Sequence, residues 1–202
     1  GSALSSVVIT KQHVQELLVI ATEKEILVGR TIEVQDFVSW NDRDYSRPFA
    51  DPKAGMLPPK VARMVVNIAC GQIGQKALLD PFCGMGTILG EALSTGWNVI
   101  GSDQSDDIIE KTKKNLEWLD ESDSRNRSAL IPGIGNHWRL FVSDATHVSQ
   151  KLAPASIDAI ATEPFMGSTR LGGNYQFNQS DQLNTIKNTM KGLEKLYIGC
   201  LK

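Results

Sequence analysis

The residues in this chain best suited to chemistry are carboxylates set beside glycines. Asp80-Pro81-Phe82-Cys83-Gly84-Met85-Gly86-Thr87 begins with an acid and continues into a G-x-G turn. Gly84 and Gly86 lack a Cβ, so the backbone can turn tightly and a ligand can approach it. Asp103 follows 23 residues after Asp80. A carboxylate about 20 residues beyond a glycine turn is placed to bind ribose hydroxyls. Asp144, followed by Ala145, can accept the exocyclic amine of an adenine. Together these residues predict a nucleoside-containing ligand.

Each acid also has a plainer reading. Asp80 could only cap its turn, Asp103 and Asp106 could only cap the next helix, and Asp144 could be an ordinary loop acid. The pattern is informative because each of the three acids falls at the end of a predicted strand. Gly84-Met85-Gly86-Thr87 is not followed by Gly-Lys-Ser/Thr, which excludes a triphosphate-binding loop. An acid at the turn repels phosphate. A cationic cofactor with an amino-acid tail suits it better, which favours S-adenosylmethionine over NAD.

These positions require a particular scaffold. Pro58-Pro59 opens a helix, since a proline in the first turn gives up no hydrogen bond. Val61, Met64, Val65, Ile68 and Ala69 follow at helical spacing, and Gly71 closes the helix. Lys76 to Asp80, Trp97 to Gly101, Trp138 to Val142 and Ser156 to Ala161 read as strands. Helices are expected over Gly86–Ser94, with Gly96 as the stop, and from the Ser105 cap to about Leu119. The stretch 120–136 reads as a loop and Thr162–Ser180 as irregular. A last helix spans about Asp181–Leu201, with Ile186, Met190, Leu193, Leu196 and Tyr197 on one face. Strands alternating with helices predict an α/β fold, a mostly parallel sheet with helices on both faces. Ligands then bind at the carboxyl ends of the strands. Residues 1–50 read as an N-terminal extension: a helix or strand at Val14–Ile20, then strand, turn, strand over Glu25–Val34. An irregular linker follows from Trp40 to Gly55. Residues 51–202 read as the main domain, incomplete at its C-terminus.

Bulk properties narrow the function. The net charge is −2, so nothing in the total charge would hold nucleic acid. Any such affinity is expected from a local basic patch or from a segment outside this sequence; Arg43, Arg47, Lys53 and Lys60 are candidates for the patch, with plain surface charge the alternative. Three cysteines without CxxC spacing predict neither disulfides nor zinc, and no histidine has ligand spacing. No apolar run nears the roughly 18 residues that span a bilayer. A cytoplasmic location without membrane association is expected. Cys83 has no activating His or Lys beside it in sequence, so a small buried filler is expected rather than a nucleophile. Trp97 and Trp138 are expected in the core.

The motif Asp80-Pro81-Phe82-Cys83-Gly84-Met85-Gly86-Thr87 resembles DPFCGxGT, the first motif of methyltransferases acting on exocyclic amines of nucleic acid. Gly55-Met56-Leu57-Pro58-Pro59-Lys60-Val61-Ala62 resembles the more selective GMLPPKLA segment that precedes it. The combination is similar to the archaeal and eukaryotic tRNA guanosine-N2 methyltransferases, over about residues 40–200. The resemblance implies a Rossmann-like class I methyltransferase that uses S-adenosylmethionine, with RNA, specifically tRNA, as partner. It further implies that Asp80, Phe82 and Gly84 line the methionine end of the cofactor, with Gly86 and Thr87 also binding it. Asp103 would hold the ribose, Asp144 and Ala145 would meet the adenine, and Met56, Leu57 and Pro58 would close the pocket. The RNA-binding N-terminal domain of that family is absent here or reduced to residues 1–50.

The family's catalytic D/N-P-P-Y motif corresponds to Glu163-Pro164-Phe165-Met166. Glu163 stands for the usual Asp or Asn, Phe165 for the second Pro and Met166 for the aromatic residue. An oxygen is still available to align the acceptor amine and take its proton. Phe165 could stack on an extruded base. The plain alternative is that Glu163-Pro164 merely ends a strand. The leading expectation is methyl transfer to guanosine N2 in tRNA. The alternatives are DNA adenine-N6 or cytosine-N4 methylation, and a cofactor-binding module without catalysis.

Overall fold

A computed structural model describes residues 4–51, 56–71, 76–126, 137–164 and 179–200. The chain divides into two units, Gly1–Ser46 and Arg47–Lys202.

In the first unit, α1 (Ser6–Gln12) starts at Ser5, whose side chain accepts the Val8 N–H. Strands β1 (Leu17–Ala21) and β2 (Ile26–Arg30) pair antiparallel. The expected turn inside Glu25–Val34 is instead Thr22–Glu25, where the Thr22 hydroxyl accepts the Lys24 and Glu25 N–H groups. Both strands are exposed along their full length. The stretch from Trp40 is not wholly irregular. Asp36 accepts the Val38 and Ser39 N–H groups and so starts α2 (Phe37–Asn41), which continues into a π-helical turn at Asp42–Ser46.

The second unit is built on a parallel sheet ordered β5-β4-β3-β6. Its strands are β3 (Ala77–Asp80), β4 (Asn98–Asp103), β5 (Trp138–Val142) and β6 (Ala159–Ile160). Every pairing is parallel, with Asp80 opposite Gly101 and Asp103 opposite Val142. The order reverses between β3 and β6, which makes their carboxyl ends the topological switch point where such sheets bind ligands. Strand β4 runs two residues past its expected end, so Asp103 is its last residue. Strand β6 is shorter than the expected Ser156–Ala161.

Helix α3 (Pro59–Cys70) begins with Pro59 after Pro58 and is closed by Gly71 at φ +59. Its buried face is Pro59, Ala62 and Val66. The expected face is corrected here: Val61, Met64 and Ile68 are exposed and only Val65 packs on the core. Apolar residues occupy most of this helix, so periodicity in sequence could not decide which side faces inward. Helix α4 (Thr87–Leu93) crosses from β3 to β4 and packs on both. Helix α5 (Asp106–Asn126) crosses from β4 to β5 and extends past Leu119 into the expected loop. Helix α6 (Gln179–Cys200) packs against a 3₁₀ turn at Ala145–Lys151; of the five residues expected on one face, Leu193, Leu196 and Tyr197 are half-buried and Ile186 and Met190 are exposed.

The core holds Leu78, Leu89, Leu93, Trp97, Val99 and Leu116, with Trp138 packed at its margin. Burying such side chains supplies about 1.5–3 kcal/mol each. Gly101 sits where any Cβ would lie 2.5 Å from Leu89 Cδ1, so β4 and α4 approach closely there. Charge enters the packing where Arg63 Nη2 of α3 lies 2.8 Å from the buried Glu91 Oε2 of α4.

Candidate functional site

The carboxyl ends of the four parallel strands bring Asp80, Asp103, Asp144 and Glu163 to one rim, as parallel register requires. The first three acids follow the same local rule. Asp80 Oδ1 accepts the Phe82 N–H at 3.1 Å, Asp103 Oδ1 that of Ser105 at 3.0 Å, and Asp144 Oδ1 that of Thr146 at 2.8 Å. Each acid thus bonds the N–H two residues on, and so turns the chain away from its strand. Asp80 thus caps its turn, as in its plainer reading, and Asp144, read only as a loop acid, caps the 3₁₀ turn at Ala145–Lys151, whereas the first turn of the helix after Asp103 is capped by the Ser105 hydroxyl, which accepts the Ile108 N–H. Such local bonding accompanies the placement at the rim and does not exclude a role there.

Asp80 is the most buried acid among the described residues, 1% exposed. Burial pushes its carboxyl up to about 7, with the nearby Asp103 and Glu163 charges adding to the rise. The Thr162 hydroxyl and the Phe82 N–H oppose it by bonding the ionised form. The Thr162 bond is 2.6 Å long and spans the switch point, tying the end of β3 to the second residue past β6. Sequence reading missed Thr162, although its position beside Glu163 was a usable signal. Among the described residues, no basic side chain pairs with Asp80, Asp103 or Glu163.

The turn after Asp80 is closed by the Cys83 N–H on Ser102 O at 2.9 Å and the Gly86 N–H on Cys83 O at 2.8 Å. Gly84 and Gly86 have φ of +48 and +79. Both values lie in the left-handed region that glycine enters without a Cβ penalty. At Gly86 a Cβ would also stand 2.7 Å from Thr112 Cγ2. Cys83 is buried among the core residues. Burial, with the Asp80 and Asp103 charges, pushes its thiol well above the usual range. A thiol held protonated is no nucleophile, in keeping with its reading as filler.

Asp144 is exposed, and its bonds to the Thr146 hydroxyl and N–H hold its carboxyl below the usual range. Ala145 beside it is buried. Phe82, Gly84 and Thr87 are half-buried. Met56 and Leu57 are half-buried ahead of α3, Leu57 packing on the core, and Pro58 is exposed. Glu163 and Pro164 are half-buried beyond β6. Gly55, Phe165 and Met166 lie outside the described residues, as does Lys53 of the basic group. Arg43 stacks over Trp40 in the first unit, its guanidinium 4.4 Å from the ring centre. Arg47 in the second unit donates to Thr87 Oγ1 at 2.8 Å. Among the described residues there is no cluster able to hold a metal ion. No described helix is long and apolar enough to cross a membrane.

A parallel sheet with a glycine turn after its first strand and an acid at the end of its second defines a nucleoside-cofactor fold of the Rossmann-like kind. Comparison with known proteins gives the class its name. Residues 45–171 match the family described as "RMKL-like, methyltransferase domain", and the chain belongs to that family. The tRNA (guanine(10)-N2)-dimethyltransferase of Pyrococcus abyssi is 34% identical over 123 residues, covering 61% of this chain and 32% of that protein. A probable tRNA (guanine(10)-N2)-dimethyltransferase of Methanothermococcus thermolithotrophicus is 35% identical over 118 residues, covering 58% of this chain and 67% of that protein. The chain thus spans about a third of the length of several curated relatives, 32% and 31% of two of them. Among solved structures, TrmN from Thermus thermophilus shares the fold, with a TM-score of 0.51 at 20% identity, over 92% of this chain and 43% of that one.

Proposed function

We propose that this chain is the methyl-transfer portion of an enzyme that methylates an exocyclic amine of a nucleic-acid base, namely guanosine N2 in tRNA, with S-adenosylmethionine as donor. The observation that carries the reading is the joining of Asp80 to Thr162 at the switch point. That bond sets the cofactor turn beside Glu163. The tRNA substrate is supported by the names of the relatives.

The residues present fit this cofactor. Asp80, Asp103 and Glu163 favour a positive charge between them, and S-adenosylmethionine carries a sulfonium. When bound, it supplies an electrophilic methyl group. Asp80, Phe82, Gly84, Gly86 and Thr87 would hold its methionine end, and Asp103 its ribose. Asp144 and Ala145 would meet the adenine. Met56, Leu57 and Pro58 would cover it. Glu163 orients the acceptor amine through its carboxylate and takes the proton the amine loses as its new N–C bond forms. Pro164 fixes the backbone after Glu163, and Phe165 offers a ring on which the target base can stack.

The test is incubation of the full-length protein with methyl-labelled cofactor and bulk tRNA, followed by nucleoside analysis. Label in N2-methylguanosine is expected. No label in RNA under any condition overturns the reading. Label in DNA selects the DNA alternative, and cofactor binding without turnover selects the non-catalytic module that the altered Glu163-Pro164-Phe165-Met166 motif raises. Asp103→Ala should raise the cofactor Kd about 10-fold or more by calorimetry. Glu163→Ala should lower kcat about 100-fold with that Kd little changed.

A further inference from the structure

Helix α5 has a buried polar stripe in an otherwise apolar contact. Thr112 and Asn115 are 0% and 6% exposed. Neither contacts solvent enough to be placed there for solubility, and buried polar groups persist where they are hydrogen-bonded. The one Thr112 hydroxyl hydrogen is shared between the Gly84 carbonyl and the Ile108 carbonyl of its own helix, the latter at 2.9 Å. Asn115 Nδ2 donates to the Met85 carbonyl at 2.9 Å and to the Phe49 carbonyl at 2.9 Å, while its Oδ1 accepts the Phe49 N–H at 2.9 Å. The amide of Asn115 therefore matches both backbone groups of Phe49 and holds the glycine turn with the same nitrogen. Arg47, two residues before Phe49, fastens the same segment to Thr87.

The peptide geometry gives these bonds a direction. Every described peptide is trans. In a trans peptide the carbonyl and the next N–H point opposite ways. Drawing the Gly84 carbonyl to α5 therefore turns the Met85 N–H away from α5. Drawing the Met85 carbonyl the same way likewise turns the Gly86 N–H away from α5, where it bonds Cys83 O. Among the described residues the Met85 N–H has no acceptor.

We infer that Asn115 and Thr112 are positioning residues. They clamp the carbonyls of the glycine turn from behind and so present the Met85 N–H to the cofactor, and Asn115 clasps the Arg47–Phe49 segment to the same turn. The inference rests on the cofactor reading above and deepens it: the donor so presented suits the carboxylate of an amino-acid tail.

The test uses the 202-residue chain and S-adenosylhomocysteine. Thr112→Val keeps the shape and loses the donor, and Asn115→Asp keeps the acceptor for Phe49 and loses both donations. Each should weaken binding about tenfold or more by calorimetry, at a temperature where all variants are folded. Thr112→Ser, which restores the hydroxyl, should bind within about threefold of the parent. Val66→Ala, a buried truncation in α3, should lower Tm comparably and leave Kd within about twofold. Amide hydrogen exchange at Gly86 gives a second readout that needs no ligand, and it should quicken in Thr112→Val and Asn115→Asp but not in Val66→Ala. Unchanged affinity and unchanged exchange in the first two variants overturn the inference. Weakening equal to that in Val66→Ala does so too. If the parent chain fails to bind while exchange behaves as expected, the cofactor reading falls and the clamp stands.

Discussion

A carboxyl buried like that of Asp80 makes stability and binding depend on pH. Its pKa in the folded chain is about 7, against 3.8 as the ordinary value. The folded state then holds a proton that the unfolded state has lost. Its contribution to stability is complete below about pH 4 and is lost as pH rises to about 7. Relative to Asp80→Asn, which stays neutral, the parent should lose Tm progressively over that window in thermal melts. A sulfonium favours the ionised form. At pH 6, S-adenosylmethionine binding should release more protons than S-adenosylhomocysteine binding, measured by calorimetry in buffers of different ionisation enthalpy. Thr162→Val removes the hydroxyl that reaches Asp80 without changing shape. It should lower kcat about 10- to 100-fold, since small displacements of a reacting group are costly, and Thr162→Ser should restore it.

The glycine turn and α5 act as one element in two pieces. Gly86→Ala would strain a left-handed residue and press its Cβ on Thr112, whose hydroxyl holds Gly84. A loss of about 1–3 kcal/mol is expected, seen as a lower urea midpoint with an unchanged m-value. The turn itself was legible in sequence because glycine spacing is local. Its support by α5 was not, because Thr112 and Asn115 lie 26 and 29 residues beyond Gly86 and read as ordinary helix positions. The inward side of α3 was likewise undecided by an apolar pattern that runs most of the way round the helix.

At the scale of the whole chain, charge limits what it can hold. A net charge of −2 releases few counterions from RNA. This chain by itself should bind bulk tRNA no tighter than about 10⁻⁴ M at physiological salt, with a shallow salt dependence by filter binding. Tight binding with a steep salt slope would show that a local basic surface suffices.

Sequence alone determined the α/β alternation, the turn at Asp80–Thr87 and the acids at 80, 103 and 144, because each depends on neighbours in the chain. Only the tertiary structure decided that β3 and β6 lie side by side. It thereby set Thr162 on Asp80, and it placed Asn115 against both Phe49 and Met85. Strand order and helix facing depend on which distant residues meet, and no local pattern carries that information.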